Sequence, residues 1–577
     1  MDHEQESSST RKMWWLAGVV VLLPLAWFLY QLFGPNERII VSPETTVITE
    51  PLRTDGLPDY ARYFYELGSE GVTPENNGAV EFWQAMWPGD LSREFWLPMC
   101  DALGMERVPD EDNGLEPPYS LANRKRIAVD LKSHYQNTLE ESIREELSSE
   151  QSQRLIESTL SDLAIDEAMG RPWRSEQLPA LQNWIQSNQQ QLDLLVAAAE
   201  KPKFWSPSPS LLDDNYEGLI AVLLPAVQTM RTAARVLNLR AMWHLGEGRP
   251  EAAWSDLWAC FQLARFTREG PTLIEQLVAI AINGVACHQT VTLLGSNSLD
   301  ANLAREILRE LTELGPPSEV VRSLDTGERI LFADTVLGLA TQRDTLTSLT
   351  GGGGPGFDPL PFMRIKWNYV LREGNQWYDR LVAAARLPTR AERRSAFVDY
   401  EIALQKASST QRNPYRLIGG IVSSQARSEI FADIMATLLL PALQAAYEAE
   451  ERGLVVWQLT QVAAALAVYR AEHGEYPEEL SELVPDILHE MPMDLYSEEP
   501  FRYERKPDGG YLLYSVFKSG KDDGGTDLGG EIVEGEWSTE ETQVDYDNSD
   551  IVFRVPVPEF KLPEFPLEDE TVANPDE

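Results

Sequence analysis

The stretch Met13 to Phe33, MWWLAGVVVLLPLAWFLYQLF, carries no charged residue. At about 1.5 Å per residue, a helix of this length matches a hydrocarbon layer roughly 30 Å thick, so the sequence predicts a membrane span. Trp14, Trp15, Trp27 and Tyr30 fall towards its ends, where amphipathic rings favour the interface. Arg11 and Lys12 precede it, while Arg38 and Arg53 follow. The nearer pair predicts a cytoplasmic tail over 1–12 and a single-pass protein with its soluble part outside the cytoplasm. A cleavable signal peptide has a shorter apolar core and an A-x-A-like site, whereas FGPNER follows here. The reading is an uncleaved anchor, with the lipid bilayer as its partner and Pro24 as a local kink.

What the anchor holds must be large. A chain of 577 residues exceeds one hydrophobic core, and about two to four domains are expected. An apolar share of 43%, a charged share of 24% and 16 tryptophans describe packed, folded protein rather than disorder. The net charge of −42 opposes nucleic acid, whose phosphates such a surface repels. Cys100, Cys260 and Cys287 are far apart and fit neither zinc spacing nor a disulfide framework, so buried thiols are expected.

The predicted fold class is mainly α, with a large helical soluble region and a small α+β domain at the C-terminus. In order, the sequence predicts a stalk over 34–60, a helical domain over 61–345, a Gly-rich linker over 346–362 and further helices of the same domain over 363–450. A helix plus antiparallel sheet follows over 451–556, then an acidic, Pro-rich tail over 557–577. Thr73-Pro74-Glu75 reads as a helix start: a hydroxyl cap, proline in the first turn, then an acid facing the dipole. Arg231 to Arg265 reads as a helical hairpin, since no repeat of roughly 34 residues follows it. EGPTLIEQLVAIAING at 269–284 is similar to a type IV pilin leader, but its internal position makes it an ordinary buried helix. GGGGPG at 351–356 lacks the Gly-Lys-Ser/Thr of a phosphate loop and reads as a flexible linker.

The C-terminal text is the most specific. Val455, Leu459, Val462, Leu466 and Tyr469 recur by four and three, which predicts one packed helical face. His473-Gly474 ends that helix, and Tyr476-Pro477 opens a short second one. Phe501 to Tyr503 and Gly510 to Val516 alternate as two strands about the turn Pro507-Asp508-Gly509, and Ile551 to Val555 reads as a third. The order YR…HGEYP, strands, YS, then KDDGGTD resembles the globular part of the major pseudopilin of type II secretion systems, over residues 455–555. Departures are the missing prepilin leader, a helix not continuous with the anchor, and the insertion of Phe517-Lys518-Ser519. RPWRSEQLPALQNWIQSNQQQLDLL and FWSPSPSLL upstream look like a group of uncharacterised bacterial membrane-anchored proteins ending in this module. These resemblances imply the bacterial inner membrane and envelope protein partners reached through the module.

The loop Lys521 to Asp527 places three carboxylates within six positions, among glycines that allow a tight wrap. Calcium takes roughly six to eight hard oxygen donors. The corresponding pseudopilin loop binds calcium, which implies Asp522, Asp523 and Asp527 as ligands, with Asp550 closing the site. EF-hand spacing is absent. A solvated acidic turn is the plain alternative. No H-E-x-x-H, G-x-S-x-G, Walker or dinucleotide pattern occurs. Two functions stay open: a non-enzymatic envelope scaffold or interaction protein, and an anchored extracytoplasmic hydrolase using carboxylates in the helical region.

Overall fold

The longest helix described, Leu443–His473, sets the architecture. Periodicity predicts one buried face, yet Val455, Val456, Trp457, Leu459, Thr460 and every residue from Val462 to Val468 are buried. A stretch apolar around most of its circumference needs several neighbours. Helices Leu273–Leu294 and Ala301–Leu314 pack along it, and strand Tyr511–Ser515 touches it from the sheet. Ala463, Ala464, Ala465 and Ala467 are all buried, and their small side chains permit that close approach. The Trp457 ring meets Phe261 edge to face at 5.8 Å.

The computed structural model describes residues 22–566, apart from 90, 92, 106–107, 110–113, 140, 142–146, 209–217, 220–224, 318, 342–362, 412, 441–442, 519, 523 and 526–549. The chain is mainly helical. The expected Gly-rich linker, and residues 567–577 of the expected tail, lie outside the described residues.

Apolar residues form two cores. The first joins residues between Ala79 and Leu311 to Val455 through Phe565. The second is built mainly from Val320 through Tyr447, with Tyr60, Leu219, Leu273 and Ile280. The cores therefore divide the chain differently from the expected segments: the C-terminal module shares its core with the N-terminal helices, and 320–340 belongs with the later ones. Residues 557–566 also dock. Phe560 and Phe565 are buried, and the Tyr135 hydroxyl donates to the Pro563 carbonyl at 2.8 Å.

Within the first core, Pro225–Gly246 and Pro250–Arg268 form the expected helical hairpin. Buried Arg240 clamps it, donating to Asp256 through Nε (3.0 and 3.1 Å) and Nη2 (2.6 Å), and to Asp193 through Nη1 (2.6 Å). Leu273–Leu294 is the expected buried helix, opened by a capping box between Thr272 and Glu275. Three antiparallel strands, β1 (Arg502–Arg505), β2 (Tyr511–Ser515) and β3 (Ile551–Val555), stand in the order β1-β2-β3. Phe553 of β3 meets the His288 ring at 5.2 Å, which seats the sheet on the Leu273–Leu294 helix.

Two local expectations fail. The helix expected from Thr73 begins at Ala79, and Thr73 to Asn76 form a turn. Asn77 is the reason: its Oδ1 accepts from Ala79 N (3.1 Å) and Trp205 N (2.8 Å), and its Nδ2 donates to Trp205 O, which ties the chain to a crossing segment. The stretch 34–59 is irregular but folded onto the body rather than standing free as a stalk. Asn368 and Asn375 of helix Trp367–Ala385 exchange hydrogen bonds with the backbone of Arg38, Ile40, Glu44 and Thr45, and Thr45 and Thr46 are buried.

Leu459 is fully buried where the central helix lies inside the first core. Leu459→Ala is expected to cost about 2–5 kcal/mol. Hydrogen exchange should show faster opening in both the Pro250–Arg268 helix and β2, because one core holds them; acceleration confined to the sheet would contradict a shared core.

Candidate functional site

Beyond β2 the chain is organised by a single buried carboxylate, Asp494. Its Oδ1 accepts from Ser515 Oγ (2.8 Å) and Tyr496 N (3.0 Å), and its Oδ2 from Val516 N (3.2 Å) and Ser497 Oγ (3.3 Å). This pins the 490–500 loop to the end of β2 and directs the following residues back over the sheet.

There the acidic loop begins. Asp522 Oδ1 accepts from the Tyr514 hydroxyl (2.8 Å) and Gly524 N (3.0 Å), and Arg502 Nε lies 3.4 Å from Oδ2. The Tyr514 hydroxyl, the Gly524 amide and the Arg502 cation hold this carboxyl below the usual range. Burial first, and then Asp522, pushes Tyr514 up to about 12. Gly524 and Gly525 have φ of +74° and +70°, left-handed values that favour glycine. A Cβ on Gly525 would also meet Leu512 Cδ2 at 2.7 Å. The turn aims Gly525 N at buried Asp550, whose Oδ2 accepts it at 3.0 Å. Register pairs Tyr514 with Val552. Asp522 and Asp550, distant in sequence, thus bind neighbouring glycines at one end of the sheet.

Asp523 and Asp527 lie outside the described residues. Among the described residues no group of three His, Cys, Asp or Glu side chains suits a metal ion. Asp522 and Asp550 supply oxygen donors only, a chemistry that fits a hard divalent cation. Arg502 competes for the same carboxylate.

The half-buried acids of the helical region serve a different purpose. Glu275 Oε2 accepts from Thr272 N, Glu328 Oε1 from Leu273 N and Asp130 Oδ2 from Ala180 N, each at a helix start. Burial raises the pKa of all three, and Glu328 adds to the effect at Glu275. Glu450 Oε1 accepts from Val320 N at 2.7 Å, and burial pushes its carboxyl up to about 7, with Glu319 adding to the rise. A groove of about 460 Å³ between helix Arg390–Gln411 and the C-terminal loop contains Arg390, Arg394, Tyr496 and Glu498. Arg390 there is already bonded to Glu451 at 3.0 Å and stacked over Tyr496. None of these acids lines it. Sequence reasoning missed these roles because acids are abundant; the spacing Thr272-x-x-Glu275 was the one readable signal.

Comparison with protein-family models, with curated proteins and with solved structures finds no match to this chain.

Two measurements follow from the carboxylates. Calcium at about 100 times its Kd is expected to stabilise the full-length protein by about 3 kcal/mol, seen as a raised melting temperature. A variant with Asp522→Ala, Asp523→Ala and Asp527→Ala should lose the response, and an unresponsive parent would remove calcium from the loop. For Glu450, a folded pKa raised from 4.5 to about 7 means stability is fully present below the lower value and is lost as pH rises through the upper one. Glu450→Gln keeps an acceptor for Val320 N, so it should remove a loss of the order of 1–3 kcal/mol. Melting curves of both proteins across that window check it; parallel curves would refute it.

Proposed function

We propose that the protein is a membrane-anchored scaffold or interaction protein of the bacterial envelope, held in the inner membrane through 13–33 with its N-terminus cytoplasmic and its body outside. One observation carries the reading: the end of the apolar helix Leu22–Phe33 is bonded into the folded body rather than leading into a loose tether. Gln31 Oε1 accepts from Ser424 N (3.1 Å) and Oγ (2.7 Å), and Gln31 O accepts from Arg427 Nη1 (3.1 Å). Leu32 O accepts from Arg364 N at 2.8 Å, and the Arg364 guanidinium stacks on Tyr30 at 4.5 Å.

Upstream of that junction the helix exposes Leu22, Leu23, Leu25, Trp27 and Leu29, a cost in water that a bilayer removes. Among the described residues, the helices Leu273–Leu294 and Ala445–His473 are long and apolar enough to cross a membrane, but both are mostly buried in protein. A body fixed to its anchor presents its outer surfaces in a defined orientation, which suits assembly with envelope partners. β1 is one of the two edge strands of the sheet formed by the described residues and offers one such surface.

Removing residues 1–30 leaves Gln31 and its contacts in place. The truncated protein is expected in the supernatant after membrane sedimentation and the full chain in the pellet. Sedimentation of both would contradict a single anchor. Cross-linking of full-length protein in its native membrane should then capture partners at stoichiometric yield; their absence would count against a scaffold.

A further inference from the structure

Helix Pro414–Val422, PYRLIGGIV, exposes more apolar side chain than its length explains. Tyr415 is 84% exposed, Ile418 59% and Ile421 53%, and Leu417 and Val422 are also exposed. Only Gly420 is buried. A Cβ there would meet Ile430 Cδ1 at 2.9 Å, so the glycine lets this helix lie directly on helix Ser424–Leu439. The glycine side faces the body, and the large side chains are left outside. The helix has one charge, Arg416, which is paired with Asp433 at 2.7 Å.

The position of this surface identifies its occupant. The helix ends next to Ser423 and Ser424, and Ser424 is the residue that binds Gln31 at the end of the apolar N-terminal helix. Arg427 joins the two directly: Nη1 donates to Gln31 O, and Nη2 to Ile421 O at 3.3 Å. The exposed apolar residues of 414–422 are therefore continuous with the point where the membrane-seeking helix enters the body. From this juxtaposition we infer that helix Pro414–Val422 is a second membrane contact, lying in the bilayer interface beside the anchor and inserting Tyr415, Ile418 and Ile421 among the lipids. The inference rests on the anchored reading above. A short helix with an apolar outer face, lying in the headgroup region, satisfies its own backbone while burying those side chains. Asn413 caps it by accepting from Tyr415 N at 3.0 Å.

The test uses full-length protein in vesicles of phosphatidylcholine and phosphatidylglycerol, with an environment-sensitive fluorophore on one introduced thiol. Cys100, Cys260 and Cys287 are buried, so the introduced thiol is the accessible one. Ile418→Cys reports the helix, Leu22→Cys the anchor, and Leu121→Cys, exposed on the first core, the body. Nitroxide lipids quench from either near the headgroups or deep in the chains. Expected is loss of fluorescence at Ile418 mainly to the shallow quencher, loss at Leu22 mainly to the deep one, and none at Leu121. Quenching at Leu22 without quenching at Ile418 overturns the inference and leaves the anchor standing, whether the helix faces solvent or a protein. No quenching at either position overturns the anchored reading as well. Quenching at Leu121 equal to that at Ile418 would mean general adsorption and would also overturn it.

Discussion

Burial of the stretch 455–468 within the Leu443–His473 helix is the constraint from which the architecture follows. A stretch apolar around most of its circumference needs partners in several directions, and no single neighbour supplies them. The Leu273–Leu294 and Ala301–Leu314 helices take part of its surface, Phe261 takes Trp457, and the sheet covers another side. The sheet depends on that packing, because every residue of β2 is buried and three short strands cannot cover both of its faces. Each side of the helix thus completes the other, and the C-terminal module cannot be detached without opening the first core. Residues 557–566 extend the same arrangement, returning over the helix that carries Tyr135.

Acidic residues are distributed with purpose despite their excess. Several meet backbone N–H groups: half-buried Glu275 and Glu328 at the start of one helix, half-buried Glu450 at Val320, and buried Asp494 at the end of β2. A carboxylate at a helix N-terminus gains from the dipole and satisfies an orphan donor, which offsets part of its desolvation. Asp256 and Asp193 instead hold Arg240, a cation donating to both in the hairpin that carries it. The remaining acids give the body its net negative surface.

Much of the helical character was legible in the sequence, because long apolar periodicities and Gly or Pro stops are local signals. The hairpin around Gly248, the helix after Thr272 and the helix ending at His473 were of this kind. Tertiary relations were not. The period of Val455, Leu459 and Val462 identifies one buried face, but nothing in it tells that Val456 and Ala464 meet partners too. Thr73-Pro74-Glu75 carried every helix-start signal and lost to Asn77, whose side chain is engaged by a segment far along the chain. At the acidic loop, the glycines and Asp522 were visible as a wrap. The Asp494 anchor under it was not, since its partners Ser515 and Val516 become neighbours only when the sheet forms.

The hydrogen bond from Tyr135 to Pro563 joins positions 428 residues apart in a chain of 577. A growing chain therefore holds the apolar faces of its N-terminal helices unsealed until almost all of it has been synthesised. Contacts of such separation carry a high loop-closure cost and form late. Emergence from the ribosome consequently leaves a long interval in which Tyr135 and Phe261 lack their final cover, an exposure that favours association with other unfinished chains.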